Sequence, residues 1–246
     1  MYADRRYVQR MSIDITGQDM PGRYPFTLPV VKELHSTGGI QFDKGVTFLT
    51  GENGSGKSTL IEALAVAAGM NPEGGSQNYG FSTRSTESEL GNNVSLTWGV
   101  KKPKSRFFLR AESFYNLASA TEQLGAQQIA AVGGVSLHER SHGESFVDLM
   151  KNRFYPEGFY IMDEPESALS PRGCMAVVSL LADLVDKDCQ LVIATHSPIL
   201  LSLPQATIYQ IDDGGVLDRV HYDDASPVRL TRAFLADPTR YLQYLI

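Results

Sequence analysis

An α/β fold organised around a mostly parallel sheet is predicted by three observations in the sequence. Residues 159–162 and 190–195 read as short strands with apolar centres, 191–194 in the second, of the kind buried on both faces of a parallel sheet. A helical stretch over residues 171–185 joins them, which is the pattern of a βαβ unit. Residues 46–50 form a third run of β-branched and aromatic residues, followed by a glycine-rich turn and a helix. No repeat period and no sustained heptad run is present, so solenoids and long helical arms are excluded.

The remaining elements follow in chain order. Residues 2–43 mix short apolar runs with Pro21, Pro25 and Pro29 and read as strands and loops, with the alternation over residues 8–13 predicting an edge strand. The helix after the glycine-rich turn spans residues 57–68 and ends at Gly69 and Pro72. Residues 71–91 are rich in Gly, Ser, Thr and Asn and predict a long loop. Residues 94–100 and 106–109 read as a hairpin around Lys101-Lys102-Pro103-Lys104. Helices are expected over residues 113–124 and 141–153. A hairpin follows, with residues 207–211 and 216–220 flanking the turn Asp212-Asp213-Gly214-Gly215. The chain closes on an amphipathic helix over residues 227–245, broken near Pro238.

The 246 residues predict one large domain with an ordinary globular composition. Lys and Arg number 22 against 28 Asp and Glu, a net charge of −6, which argues against broad nonspecific nucleic-acid binding. Two cysteines, Cys174 and Cys189, make no disulfide framework or paired metal-ligand spacing and read as reduced, partly buried thiols. No apolar run approaches the roughly 20 residues of a membrane span, and the first residues lack the apolar stretch of a secretory signal. A cytoplasmic protein is therefore expected. The basic stretch Lys101–Arg106 reads as a solvated hairpin tip, since no aromatic residue is interleaved in it.

Chemistry concentrates in three places. Gly51-Glu52-Asn53-Gly54-Ser55-Gly56-Lys57-Ser58-Thr59 fits the pattern G-x-x-x-x-G-K-[ST], and it sits between a strand and a helix as the mechanism requires. Its glycines let the backbone fold into a nest of N–H groups aimed at phosphate oxygens, reinforced by the positive end of the helix. The nucleotide-binding set is therefore Asn53, Gly54, Ser55, Gly56, Lys57, Ser58 and Thr59, with Lys57 on the β- and γ-phosphates and the Ser58 hydroxyl on Mg²⁺. Next, residues 159–162 deliver Asp163 and Glu164 to the carboxyl end of a strand, the edge where ligands bind in a parallel sheet. Asp163 is assigned to Mg²⁺ and Glu164 to polarising the attacking water. Finally, residues 190–195 deliver His196 to the same edge, in reach of a γ-phosphate.

The order of Gly51–Thr59, then Ser141-His142-Gly143-Glu144-Ser145, then Met162-Asp163-Glu164-Pro165, Ser167-Ala168-Leu169-Ser170 and Thr195-His196-Ser197 resembles the ABC-type ATPase domain of the P-loop NTPases. The resemblance extends from about Phe42 to Ile211. It implies a mostly parallel central sheet, an antiparallel β subdomain and a short helical insertion at about residues 111–155, with the C-terminal hairpin and helix at about 205–246. It also implies ATP and Mg²⁺ as cofactors, hydrolysis of ATP, and an ATP-sandwich homodimer. In that dimer Ser141, Gly143 and Glu144 form the signature that faces the γ-phosphate held by the other subunit. Read without the resemblance, Ser141-x-x-Glu144 is a helix capping box.

Some positions depart from the transporter pattern. The signature has His142 at its second position, the loop after the acidic pair ends in Ser170 rather than Asp, and the family's Gln, on the loop after a strand between phosphate loop and signature, has no obvious counterpart. Glu112, between a strand and a helix, is the positional candidate for that Gln, contacting Mg²⁺ or the water. Tyr24 and Phe26 lie upstream at a distance suited to adenine but read as packed aromatics of a proline-bounded loop. These features resemble the stand-alone and SMC-like ATPases more than transporter subunits, although the stretch between Thr59 and Ser141 is too short and irregular for an SMC arm. The expected function is a soluble ATPase coupled to an unidentified protein partner. The alternative is the ATP-binding subunit of a membrane ABC transporter, and a nucleic-acid partner is unsupported by any residue pattern.

Overall fold

The computed structural model describes residues 6–15, 22–71, 88–111 and 142–243. The expected helix over 113–124, most of the expected loop over 71–91, Glu112 and Ser141 lie outside the described residues.

Among the described residues, nine strands form two sheets. β1 (Val8–Ile13), β2 (Ile40–Gln41) and β4 (Val94–Trp98) make an antiparallel sheet in the order β2-β1-β4. The larger sheet contains β3 (Val46–Gly51), β5 (Ser105–Arg110), β6 (Gly158–Asp163), β7 (Gln190–Ala194), β8 (Thr207–Ile211) and β9 (Leu217–Val220) in the order β5-β6-β7-β3-β8-β9. Its first five members run parallel, and β9 returns antiparallel to β8 through the expected turn. Parallel strands need crossovers, and α5 below supplies the one between β6 and β7.

The helices are α1 (Pro29–Thr37), α2 (Lys57–Ala67), the single turn α3 (Ser88–Gly91), α4 (His142–Arg153), α5 (Pro171–Asp186), α6 (Pro198–Leu201), α7 (Ser226–Ala236) and α8 (Pro238–Leu242). None of the described helices is long and apolar enough to cross a membrane. Ser170, the departure noted after the acidic pair, caps α5: its side chain accepts from Gly173 N at 3.1 Å, with Pro171 opening the first turn.

Strand periodicity divides the core into two layers. Phe48, Tyr160, Met162, Leu191 and Ile193 face one side and pack with Phe146 and Met150 of α4 and Val177 and Leu181 of α5. Leu49, Phe159, Ile161, Val192 and Ala194 face the other and pack with α1, α2 and β1. β3 and β6 are buried at every position, which is why neither strand alternates apolar with exposed polar residues. Cys174 and Cys189 are buried free thiols, as expected, and burial pushes both up in pKa.

Three sequence expectations are corrected. Residues 94–100 and 106–109 are not a hairpin: β4 pairs with β1, whereas β5 pairs in parallel with β6. The distinguishing signal is local. β4 alternates in burial, whereas Phe107, Phe108 and Leu109 of β5 are all buried, the mark of a strand covered on both faces. The basic connector is accordingly not a free solvated tip. Lys101 and Lys104 both pair with Glu157, just before β6, and hold its carboxyl down at about 2, while Lys102 lies 4.7 Å over the Trp98 ring. The second correction is β1, which is central in its sheet rather than an edge, because alternation reports one buried face and not lateral position. The third is α1, in a region read as strands and loops, where Pro29 opens a helix instead of breaking one.

Gln190 staples the two sheets. Its Oε1 accepts from Tyr7 N and Val8 N, both at 2.9 Å, and its Nε2 donates to Val8 O at 2.8 Å and Asp43 O at 3.0 Å. Gln190→Ala strands these buried backbone groups and is expected to cost about 3 kcal/mol in urea unfolding, without change in the denaturant slope.

Candidate functional site

The parallel strands carry the predicted site residues to one edge. β3 ends at Gly51, β6 at Asp163 and β7 at Ala194, with Asp163 in register with Ala194 and with Arg110 of β5. The loop over residues 51–56 leaves β3 at that edge and feeds α2. Gly56 caps the helix at φ 97°, and a Cβ there would lie 2.7 Å from Val30 Cγ1, so the position requires glycine on two counts. At Gly51 a Cβ would meet Ile211 O at 2.6 Å. Asn53 and Gly54 stand exposed at the tip, and Ser55 holds the turn through its N–H to Glu52 O at 3.2 Å. The Ser55 hydroxyl is buried without a hydrogen-bond partner in the loop.

Lys57 is 4% exposed, and its ammonium donates to Gly51 O and Glu52 O, each at 2.9 Å. Burial lowers its pKa, and the carboxylates of Glu164, Asp163, Glu52 and Glu166 oppose that shift. Ser58 Oγ donates to Asp163 Oδ1 at 3.1 Å, joining the start of α2 to the end of β6. These are hard oxygen donors, and Mg²⁺ takes few protein ligands and keeps its waters, so Ser58 and Asp163 fit the ion as a pair. Thr59 Oγ1 lies 3.0 Å from the hydroxyl of Tyr24. Phe26 is buried as expected, but Tyr24 is 54% exposed beside the loop rather than packed.

Glu164 sits at φ 47°, ψ 52°, a left-handed conformation rare for a residue with a side chain, and it caps the 3₁₀ turn Pro165–Ala168. Its N–H donates to Ala194 O at 3.0 Å, tying the acidic turn to β7. Glu164 Oε1 lies 3.5 Å from His196 Nε2, so the ends of the two strands bring this carboxylate and the imidazole together. Of the signature, Gly143 and Glu144 lie in the first turn of α4, with Glu144 exposed.

Three residues were missed. Arg110 Nη1 lies 3.3 Å from Glu62 Oε2 and its Nε 3.5 Å from Asp163 Oδ2, so a largely buried guanidinium supports the carboxylate from behind. Reading β5 as half of a hairpin hid this, since the parallel register alone puts Arg110 opposite Asp163. Glu62 carries no local signal on an apolar helix. Glu166 accepts from His196 N at 2.5 Å, a contact no motif spacing announces. Arg110→Met leaves two carboxylates without their cation and is expected to cost about 3 kcal/mol in chemical denaturation.

The phosphate loop, acidic strand end and histidine stand together at one edge of a mostly parallel sheet, an arrangement that resembles the ABC-type ATPase domain of the P-loop NTPases. Comparison with known proteins finds the following similarities. The AAA domain family matches residues 34–127. Ribose import ATP-binding protein RbsA of Yersinia pestis bv. Antiqua is 27% identical over 192 residues, covering 70% of this chain and 36% of that protein. The chain thus spans about a third of the length of that relative. Among solved structures, the SMC head domain from Thermotoga maritima aligns at TM-score 0.45 and 16% identity over 87% of this chain and 98% of that one. The structure of cbiO1 from Clostridium perfringens, part of the ABC transporter complex cbiONQ, aligns at TM-score 0.47 and 15% identity over 98% and 100%.

Proposed function

We propose that this chain binds ATP with Mg²⁺ and hydrolyses it, as an ATP-sandwich homodimer in the cytoplasm that couples the cycle to a conformational change in a protein partner. The observation that carries the reading is the convergence of Lys57, Ser58, Asp163, Glu164 and His196 at one sheet edge, with Ser58 and Asp163 already in contact. The loop N–H groups and Lys57 take the β- and γ-phosphates, and Ser58 and Asp163 hold the ion. The chemistry an ion held by Ser58 and Asp163 would supply is neutralisation of phosphate charge. Glu164 polarises the attacking water, and His196 orients beside the γ-phosphate. The exposed ring of Tyr24, anchored through its hydroxyl to Thr59, offers a stacking surface for the adenine. Ser141, Gly143 and Glu144 of the second subunit close the site, with Glu112 at the metal or water. Size-exclusion chromatography of Glu164→Gln with saturating ATP tests the assembly: a dimer is expected, and a monomer would contradict the sandwich.

A second reading, the ATP-binding subunit of a membrane transporter, is favoured by the similarity to a ribose import ATP-binding protein. Co-purification of the tagged chain with a polytopic membrane protein would support it, and full turnover by the isolated chain would count against it.

A further inference from the structure

The loop carrying His196 is held by hydrogen bonds of two kinds. Thr195 N donates to Leu49 O at 3.0 Å, within the sheet. Ser197 N donates to Thr195 Oγ1 at 3.0 Å, and Leu200 N to Ser197 Oγ at 3.3 Å, within the loop and the start of α6. His196 N differs: its partner is the side chain of Glu166, at 2.5 Å, from the 3₁₀ turn two residues beyond Glu164. With Glu164 N donating to Ala194 O at 3.0 Å, the acidic turn and the histidine loop are clasped on both sides of the gap between Glu164 and His196.

We infer that Glu166 is a positioning residue, whose Oε1 sets the backbone of His196 so that the imidazole and the Glu164 carboxylate keep their mutual placement during hydrolysis. The inference rests on the hydrolytic function proposed above. Two features separate it from an ordinary turn contact. The carboxylate reaches across to a neighbouring strand's loop rather than to its own turn, where Ser167 Oγ and Ser167 N already satisfy Glu164 O. Its second oxygen, Oε2, is buried with no hydrogen-bond partner, so the turn itself gains little from burying a carboxylate here. What the arrangement secures is the position of one N–H. A neutral amide oxygen can still accept that N–H in the same place, though more weakly than a carboxylate, whereas Ala cannot accept it and Asp is one methylene too short.

The test is steady-state ATP hydrolysis and equilibrium ATP binding by Glu166→Ala and Glu166→Gln, each in the wild-type and the His196→Ala background. Thermal unfolding confirms that the variants are folded. Glu166→Ala is expected to lower kcat by about 10- to 100-fold with ATP affinity within about threefold, as misplacement of a reacting group by about an ångström would do. Glu166→Gln should recover kcat to within about threefold of wild type. In the His196→Ala background, Glu166→Ala should cost little more, because the two residues act through one another. Equal fractional losses in both backgrounds, or a wild-type kcat in Glu166→Ala, would overturn the inference alone. A wild-type chain that binds ATP without turning it over would remove the hydrolytic reading and this inference with it.

Discussion

Replacing Glu164 by Gln lowers ATP turnover by about 10³-fold and leaves ATP affinity within about threefold of wild type. The substitution conserves shape at a partly exposed position, so neither the left-handed turn nor its N–H bond to Ala194 O is disturbed. What is lost is the basicity that polarises water, since an amide accepts a hydrogen bond but takes no proton. Binding is expected to survive because the proposed phosphate and ion contacts fall to the loop, Lys57 and the Ser58–Asp163 pair, whose hydrogen bonds do not run to Glu164. Phosphate release and equilibrium titration separate the two effects. Undiminished turnover would move the water-activating role to another group, and joint loss of binding and turnover would make Glu164 structural.

Replacing Lys57 by Ala acts on binding instead. The ammonium is buried at the centre of the loop, where the proposed charge-assisted bonds to phosphate oxygens would form in a low-dielectric setting. ATP affinity is expected to fall by about 100-fold, or about 2.8 kcal/mol. Stability should change little. Burial already works against the charge, as its lowered pKa records, so its removal relieves a desolvation cost while freeing Gly51 O and Glu52 O. Isothermal titration with ATP and a thermal melt without it give the two numbers.

Much of this site was legible from sequence because each motif announces its own local geometry. A glycine-rich loop between strand and helix places Lys57 and Ser58, and an apolar run ending in Asp163-Glu164 or His196 places those groups at a strand end. The register of β6 with β7 then makes the expected convergence literal. What sequence reasoning lost depends on lateral neighbours. Arg110 matters only because β5 lies beside β6, and the hairpin reading placed it beside β4 instead. Glu166 matters only because its side chain crosses to the loop of the adjacent strand. Such contacts have no periodicity along the chain, so pattern reading does not reach them. The same holds for Gln190, which looks like an odd polar residue opening an apolar strand until β1 is seen to begin on it. Tyr24 and Phe26 show the limit at the level of single residues: two aromatics a residue apart, one in the core and one at the mouth of the phosphate loop.

The most direct measurement of the central claim is the rate of phosphate release from ATP by the purified wild-type chain, with Mg²⁺ and with EDTA. Release that saturates with ATP and is abolished by EDTA is the predicted result. Tight ATP binding with no release above the buffer rate in the presence of Mg²⁺ would contradict it.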